Sequence, residues 1–338
     1  MTTRARIETA VMIVLTILTL AGIHFTVVFL SPVSRDFKVK TVMVEKGASF
    51  RAVASNLEKE GLIRDARGFS FAAKFLGAYK KIRAGEYELS PAMTPVAILD
   101  ALLKGRVKRY QVTIPEGYNV RDAAAAIAAT GLVDEKELTA KAMDASFAAS
   151  LGIDGATLEG YLYPDTYYFE RGQTVEDMLS MMAGRFKKVY DSEFAEEARQ
   201  KGFSVKKLIT LASIIEKETG AAGERPSISA VFQNRLKKRI RLQSDPTVIY
   251  GIKDFDGNLT KRHLQTPTPY NTYTNFGLPP GPIANPGKDA IRAAMNPADE
   301  EYLYFVSMNN GSHYFSKSLR EHNNAVNTYQ RKRGRKGV

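Results

Sequence analysis

Residues 205–219 read VKKLITLASIIEKET, and this stretch predicts the central helix of the C-terminal half of the chain. Its apolar residues recur at helical spacing and form one stripe, which consists of Val205, Leu208, Ile209, Ala212 and Ile215. Gly220 follows directly and is expected to end the helix. We therefore expect a helix that buries one face and carries acidic residues in its last turn.

Glu216 and Glu218 are the two carboxylates of that last turn. The negative end of the helix dipole disfavours a carboxylate charge there and tends to raise the pKa, as a general acid requires. At about 100° per residue the two side chains flank the apolar stripe on opposite sides, so periodicity does not choose between them. The alternative is that both are surface charges beside Lys217.

The tract that follows is rich in proline and polar aromatic residues. Pro226 fits the first position of a second helix, which is expected to reach about Ile240. Seven of the fourteen prolines lie between Pro246 and Pro286, so this region cannot be mainly helical. It combines tyrosines, amides and hydroxyls, a mixture that binds sugars by stacking and hydrogen bonding. A purely structural loop remains the alternative.

The N-terminus carries an apolar run at residues 10–30 that is long enough to cross a membrane as a helix. Arg4 and Arg6 precede it, so the positive-inside rule places residues 1–9 in the cytoplasm and the body outside it. A cleavable signal peptide is the competing interpretation. We favour an anchor because the run exceeds a usual signal core and no small-x-small site follows before Pro32.

Composition narrows the range of partners. The formal net charge of +12 favours an anionic partner such as nucleic acid, acidic lipid or an acidic polymer. The chain has no cysteine, and His313 and His322 lack metal-ligand spacing, so we expect no metal and no cofactor. His313 could lie near a ligand cleft, but a core or surface histidine is the favoured interpretation. The predicted topology and the lack of a nucleic-acid motif argue against nucleic acid, and residues 329–338 are expected to form a solvated basic tail.

An internal repeat occupies the segment after the apolar run. The sequence from Val44 aligns without gaps on the sequence from Ile114, and each unit is predicted to form a strand, a glycine turn and an amphipathic helix. Ser49 and Asn119 stand where helix N-caps belong. The first unit resembles a LysM-type module, a class that binds glycans containing N-acetylglucosamine. Both units could instead be spacers or docking surfaces.

Together these patterns predict an α+β fold, with an N-terminal transmembrane helix, small LysM-like α/β units and a mixed α+β catalytic domain. The expected segments are a cytoplasmic N-terminus (1–9), the membrane helix (10–30), a LysM-like subdomain (39–105), a second repeat-like unit (106–155), the catalytic domain (156–328) and the tail (329–338).

Seven motifs in order give the sequence a specific resemblance. They are GYLYPDTY (160–167), ASIIEKET (212–219), NRL (234–236), LQSDPTVIYG (242–251), YNTY (270–273), GLPPGPI (277–283) and YLYFV (302–306). With the apolar N-terminus, this set resembles the endolytic murein transglycosylases of the YceG-like family. The resemblance implies a single-pass inner-membrane protein with its body in the periplasm. Such a protein cuts nascent peptidoglycan strands internally and leaves 1,6-anhydro-N-acetylmuramic acid ends.

The resemblance also implies site residues. Glu218 matches the catalytic glutamate of the family motif, and as a general acid and then base it would serve without a second carboxylate. Gln243, Ser244, Asp245, Tyr270 and Asn271 are expected to line the glycan cleft, and Glu216 is expected to orient the site or form a salt bridge. Asp245 could equally be a helix cap or turn former.

Two other functions are also compatible with the sequence. A hydrolase would need a second carboxylate at a defined separation from Glu218, which Glu216, Asp245 or Asp165 would have to supply. A non-catalytic envelope protein would use the repeated units to bind glycan or a peptidoglycan synthase. If the protein is the lytic transglycosylase that the resemblance implies, its partners are peptidoglycan strands and the membrane, with a peptidoglycan synthase as a further candidate.

Overall fold

The chain is described over residues 3–75, 77 and 82–331 in a computed structural model. Residues 1–2 of the predicted cytoplasmic segment and residues 332–338 of the predicted basic tail lie outside the described residues. The architecture is mixed α+β, as predicted, with helices joined by three separate two-stranded sheets in the part of the chain that is described.

The apolar N-terminal segment forms one continuous helix. Helix α1 spans Thr3–Phe25 and continues into a π-helical turn at Thr26–Leu30. Within the described ranges, Ile7–Leu30 is the one helical stretch long and apolar enough, by length and composition, to cross a membrane. A signal sequence near an N-terminus has the same length and composition.

The first compact unit comprises the residues up to Tyr110 together with Tyr168–Gln173. Its elements are β1 (Lys40–Val44), α2 (Phe50–Lys59), α3 (Ala66–Phe75), β2 (Gly85–Leu89) and α4 (Pro95–Leu103). Strands β1 and β2 pair antiparallel, from Lys40 opposite Leu89 to Val44 opposite Gly85. The core forms between this sheet and the helices, around the buried side chains of Leu57, Phe69 and Tyr87.

The second compact unit comprises Gln111–Tyr167 and the residues from Thr174 onward. Its first elements are β3 (Arg109–Thr113), α5 (Val120–Ala128), α6 (Glu135–Ala142), α7 (Ala145–Ser150) and β4 (Thr166–Glu170). Strands β3 and β4 pair with each other, and both cross the division between the units. Helices α8 (Val175–Glu193) and α9 (Ala195–Gln200) follow.

The rest of the second unit is built around one buried helix, α10 (Val205–Glu218). After it come a 3-10 turn (Ala222–Glu224), α11 (Arg225–Lys237), α12 (Asp245–Tyr250), α13 (Lys261–Gln265), α14 (Lys288–Met295), β5 (Tyr304–Ser307), β6 (His313–Ser316), α15 (Leu319–Val326) and a π-helical turn (Asn327–Arg331). Helix α10 packs against α11, α12 and α14, and its residues from Leu208 to Ile215 are buried.

Local predictions on the repeat are confirmed. Ser49 accepts a hydrogen bond from the backbone N–H of Ala52 at 3.2 Å, and Asn119 accepts one from Asp122 at 3.0 Å, so both are helix N-caps. The matched glycines Gly47 and Gly117 have φ angles of 81° and 79°, a left-handed conformation that other residues adopt at a cost. The two repeats therefore share their turn and cap geometry.

Contacts group most of the second repeat with the residues that follow it. Residues 111–155 belong to the same compact unit as residues 156–167 and 174–328, so contacts do not separate 106–155 as a unit of its own. One reason is a pair of backbone hydrogen bonds, from Gly117 N to Asn285 O at 2.9 Å and from Asn285 N to Tyr118 O at 2.8 Å. The segment boundaries at 105 and 155 stay predictions from sequence.

The second predicted helix ends earlier than expected. Helix α11 stops at Lys237 instead of about Ile240. Arg239 has a φ angle of 53°, a left-handed conformation that cannot continue an α-helix. The chain therefore leaves the helix at Arg239 and continues through Leu242 to Ser244, which contacts Glu218 at the end of α10.

Candidate functional site

Helix α10 carries the candidate acid on a buried support. Ser204 caps its N-terminus by accepting a hydrogen bond from Lys207 N at 3.3 Å, and the residues from Leu208 to Ile215 are all buried. The Ser213 hydroxyl accepts a hydrogen bond from Ile283 N at 3.1 Å, which ties the proline-rich segment to the helix. The last turn therefore has little freedom to move relative to its surroundings.

Glu218 is the last residue of this helix and points into a cleft. Its Oε1 accepts a hydrogen bond of 2.6 Å from the Ser244 hydroxyl. Burial raises the pKa of Glu218 to about 7, and the negative charge of Asp245 adds to this, while Ser244, His313 and Arg235 act in the opposite direction. A carboxyl group with this pKa is close to half protonated at neutral pH and can both donate and accept a proton.

Ser244 is held in place by the segment around Thr272. Its backbone N–H donates to Thr272 Oγ1 at 3.0 Å, and the Thr247 hydroxyl donates to Ser244 O at 2.7 Å. Ser244 precedes helix α12 in the N-cap position, but its side chain makes no cap hydrogen bond. Its hydroxyl proton is directed to Glu218 instead, and the residue is only 1% exposed. Ser244 therefore positions the carboxyl group of Glu218 instead of capping helix α12.

The cleft beside Glu218 has a volume of about 450 Å³. Its walls come from α10, α11, the segment before α12, strand β5 and α15. Polar and aromatic side chains line it, including Arg235, Gln243, Asp245, Tyr273, Tyr304, His313 and His322. This mixture of ring faces, amides and charges suits a sugar polymer.

Arg235 and His313 border the cleft near Glu218. The Arg235 guanidinium donates to Leu303 O at 2.6 Å and to Leu242 O at 2.8 Å, and it lies over the Tyr304 ring at 5.0 Å. Burial lowers the pKa of Arg235. His313 Nδ1 lies 2.7 Å from Glu224 Oε2, so this carboxylate fixes the orientation of the imidazole ring.

Asp245 is exposed at the mouth of the cleft and accepts a hydrogen bond of 2.6 Å from the Tyr273 hydroxyl. Burial and then this carboxylate raise the pKa of Tyr273. Asp245 opens helix α12 but is not its N-cap, since Ser244 holds that position. Asp245 was expected either to line the cleft or to act as a helix cap or turn former. Its side chain lies in the cleft lining together with Gln243.

Glu216 faces away from this cleft. It accepts hydrogen bonds from Arg225 Nη2 at 3.3 Å and from Gly287 N at 3.0 Å, and its side chain is 8% exposed. It borders a separate cleft of about 750 Å³ together with Glu116 and Lys217. The predicted salt bridge is present, and the two glutamates of the helix end lie on different sides, as the helical period requires.

Tyr270 and Asn271 do not line the cleft beside Glu218, which differs from the expectation for them. Asn271 is fully buried, and its side-chain amide donates to the backbone carbonyls of His263, Leu264 and Thr266. The Tyr270 ring packs against Tyr250 with centroids 4.7 Å apart. Both side chains stabilise the loop that carries Thr272, because their polar or ring contacts are already made within the protein.

Several cleft residues were not singled out from the sequence. Arg235, Tyr273 and Tyr304 all stand within the motifs quoted above, so their motif membership was the available signal. His313 lines the cleft, which was the less favoured of the two positions expected for it. Among the described residues, no cluster of three or more histidine or acidic side chains has an arrangement that could hold a metal ion.

Known proteins resemble this chain over most of its length. The model of the YceG-like family matches residues 42–328. An endolytic murein transglycosylase of Bacillus subtilis (strain 168) is 37% identical over 317 residues, which cover 89% of this chain and 88% of that protein. One of Streptococcus pneumoniae serotype 2 is 29% identical over 338 residues, covering 90% of this chain and 61% of that protein.

A solved structure shows the same relationship. The crystal structure of a yceG-like protein from Listeria monocytogenes is similar with a TM-score of 0.60 and 35% sequence identity. The similarity covers 85% of this chain and 99% of that one.

Proposed function

The chain belongs to the YceG-like family, and from this premise we propose that it is a lytic transglycosylase that cleaves peptidoglycan glycan strands internally. The bond cut is the one between N-acetylmuramic acid and N-acetylglucosamine, and the product carries a 1,6-anhydro end. The observation that carries this proposal is Glu218, a carboxyl group with a pKa of about 7 set in a cleft and held by Ser244.

The reaction needs one group that first donates a proton and then accepts one. Protonated Glu218 donates its proton to the glycosidic oxygen, and the bond from that oxygen to muramyl C1 breaks. The resulting Glu218 carboxylate takes the proton of the muramyl C6 hydroxyl, and O6 bonds to C1 to close the anhydro ring. Proton and bond counts balance without water. A pKa near neutrality suits both steps, because neither protonation state is strongly disfavoured.

The surrounding residues have supporting roles in this proposal. Ser244 orients the carboxyl group, and Gln243 and Asp245 offer hydrogen bonds to sugar hydroxyls or the N-acetyl group at the cleft mouth. Tyr273 and Tyr304 supply ring faces. Glu216 supports the end of helix α10 through its ion pair with Arg225. Tyr270 and Asn271 stabilise the loop that carries Thr272, which in turn holds Ser244.

A two-carboxylate hydrolase is the second candidate. Asp245 favours it, since this carboxylate lines the same cleft as Glu218. The hydrogen bond from Tyr273 engages one of its oxygens. In a hydrolase, Asp245 would have to assist a water molecule, and the product would carry a reducing end.

The remaining parts of the chain have roles outside the reaction. Residues 10–30 anchor the protein in the cytoplasmic membrane, and the body lies in the periplasm, where peptidoglycan is found. Residues 39–105 act as a LysM-like unit that holds a glycan strand. The order β1–α2–α3–β2, with its antiparallel strand pair, supports that role. An anchored position also suits contact with a peptidoglycan synthase.

The test is the chemistry of the cut ends. The full chain in detergent micelles is incubated with uncrosslinked glycan strands, and the released ends are identified by mass spectrometry. Anhydro ends are expected, and Glu218→Gln should lower the rate by at least about 100-fold. Glu216→Gln, two residues away and outside the Glu218 cleft, is the matched comparison, and it should lower the rate far less than Glu218→Gln because Glu216 only supports the site. Reducing ends as the main product would refute the lyase reaction, and full activity of Glu218→Gln would refute the residue assignment.

A further inference from the structure

Helix α3 of the first unit has aromatic side chains on its outward face. Phe71 is 74% exposed and Phe75 is 86% exposed, one helical turn apart. Arg67 and Lys74 are exposed on the same side of the helix. The opposite side packs into the core through Phe69, Ala72 and Ala73. Two neighbouring phenylalanines exposed to this extent make an apolar patch framed by positive charge.

The end of the N-terminal helix is built into the core of the same unit. Val28 and Phe29 are 8% and 2% exposed, and the Phe29 ring stacks on Phe69 of α3 with centroids 5.9 Å apart. Their neighbours Val27 and Leu30 remain 45% and 52% exposed. One side of the last turn of the helix therefore packs into the core of the first unit, and its other side remains exposed.

Arg64 fixes the direction in which the helix leaves the unit. Its guanidinium donates to Val27 O at 3.2 Å, Ser31 O at 2.9 Å and Val33 O at 3.1 Å. These carbonyls lie at and beyond the C-terminal end of the helix, where a cation is also favoured by the helix dipole. Together with the stacking of Phe29 on Phe69, these bonds hold the end of the helix against α3.

The length of the helix places this junction at the level of lipid headgroups. A hydrocarbon core of about 30 Å takes about 20 residues at 1.5 Å per residue. The candidate span begins at Ile7, so about 20 residues bring it to the start of the turn Thr26–Leu30. This turn contacts α3. Helix α3 would then lie close to the boundary between acyl chains and headgroups.

The exposed phenylalanines lie on the side of α3 that faces the anchor. Gly68 approaches the anchor so closely that a Cβ atom there would lie 3.3 Å from Val28 Cγ1. Around the helix, Phe75 is about 20° and Phe71 about 60° from Gly68, at about 100° per residue. The aromatic face is thus next to the membrane helix and not on the far side of the unit.

We propose that Phe71 and Phe75, with Arg67 and Lys74 beside them, form a membrane-contact face that rests in the headgroup region of an anionic lipid bilayer. The phenylalanines enter the upper acyl region, and the two cations pair with lipid phosphates, as in interfacial amphipathic helices. This inference rests on the anchoring in the proposed function. It adds that the first unit lies against the bilayer instead of standing away from it.

Single tryptophans test the face, because the chain has no tryptophan of its own. The full chain carrying Phe71→Trp or Phe75→Trp is reconstituted into vesicles of phosphatidylglycerol and phosphatidylcholine with brominated acyl chains. Phe25→Trp in the candidate span reports anchoring. Tyr168→Trp, 51% exposed in the same unit but outside α3, is the matched control. Bromine quenches tryptophan only on close approach.

Quenching of Phe71→Trp and Phe75→Trp should exceed that of Tyr168→Trp by about twofold or more and should weaken when phosphatidylglycerol is omitted. Quenched Phe25→Trp with unquenched Phe71→Trp and Phe75→Trp would overturn the contact face and leave the anchor intact. Equal quenching of Tyr168→Trp would overturn the assignment to α3. Unquenched Phe25→Trp would overturn the anchor and with it this inference, without bearing on cleavage by Glu218.

Discussion

Replacing Ser244 with alanine should move the pH dependence of cleavage upward. The Ser244 hydroxyl donates to Glu218 Oε1 at 2.6 Å and lowers the pKa of a carboxyl group that burial has raised to about 7. A hydrogen bond to a charged group contributes about 1.5–3 kcal/mol, and one pKa unit corresponds to about 1.4 kcal/mol. Loss of the bond should therefore raise the pKa of Glu218 by about one to two units.

The sign follows from the order of the steps. Cleavage starts from protonated Glu218, so kcat/KM falls as pH rises through the pKa of this group in the free enzyme. In the wild type this decline should centre near the pKa of about 7. In Ser244→Ala it should centre about one to two units higher. The rate at low pH should also fall, because the carboxyl group loses the contact that orients it.

The assay is kcat/KM on uncrosslinked strands across the pH range, with Ser229→Ala as the control. Ser229 is as fully buried as Ser244 but lies in α11 and bonds to Gln233, so its loss should leave the decline in place. A Ser244→Ala profile that stays in place or moves to lower pH would refute the idea that this hydroxyl stabilises the ionised form of Glu218.

Two further predictions concern stability. Between pH 4.5 and about 7 the folded state keeps the Glu218 proton that the unfolded state releases, so the unfolding free energy falls as pH rises through this window. Glu218→Gln removes this cost, and urea unfolding should show it more stable than the wild type by about 1–3 kcal/mol at pH 8, with the difference shrinking towards pH 5. A gain that does not depend on pH would contradict the shift. Asn271→Ala should lower the unfolding free energy by about 2–4 kcal/mol, because it removes the three hydrogen bonds that a fully buried side-chain amide donates to backbone carbonyls. Under conditions in which the variant is folded, its KM should stay within about twofold of the wild-type value. A large rise in KM with unchanged stability would instead show that Asn271 contacts the glycan directly.

Local features of this chain were readable because they depend on near neighbours. The caps at Ser49 and Asn119 and the turns at Gly47 and Gly117 follow from side chains and backbone angles within a few residues. The course of α10 followed from its apolar period, which depends only on the helical repeat. Such features need no knowledge of what lies across the core.

The site was predicted in part. The order of motifs brought Glu218, Gln243, Ser244 and Asp245 to attention. The structure places Glu218, Gln243 and Asp245 in the lining of one cleft, whereas Ser244 is buried behind the lining and is hydrogen-bonded to Glu218. It was wrong to expect Asn271 in the lining, since a polar residue in a loop gives no sign of whether its amide turns inward to carbonyls or outward to a ligand. His313 reached the cleft from a hairpin whose packing the sequence does not state.

The sequence by itself determined that two carboxylates stand at the end of one amphipathic helix, about 200° apart around its axis. Only the tertiary structure decided what surrounds each of them. Arg225 and the Gly287 amide enclose Glu216 as an ion-paired support, while Ser244 and the cleft walls enclose Glu218 and raise its pKa. The physical reason is that a pKa and a hydrogen-bond partner depend on groups brought close by folding, many of them distant along the chain.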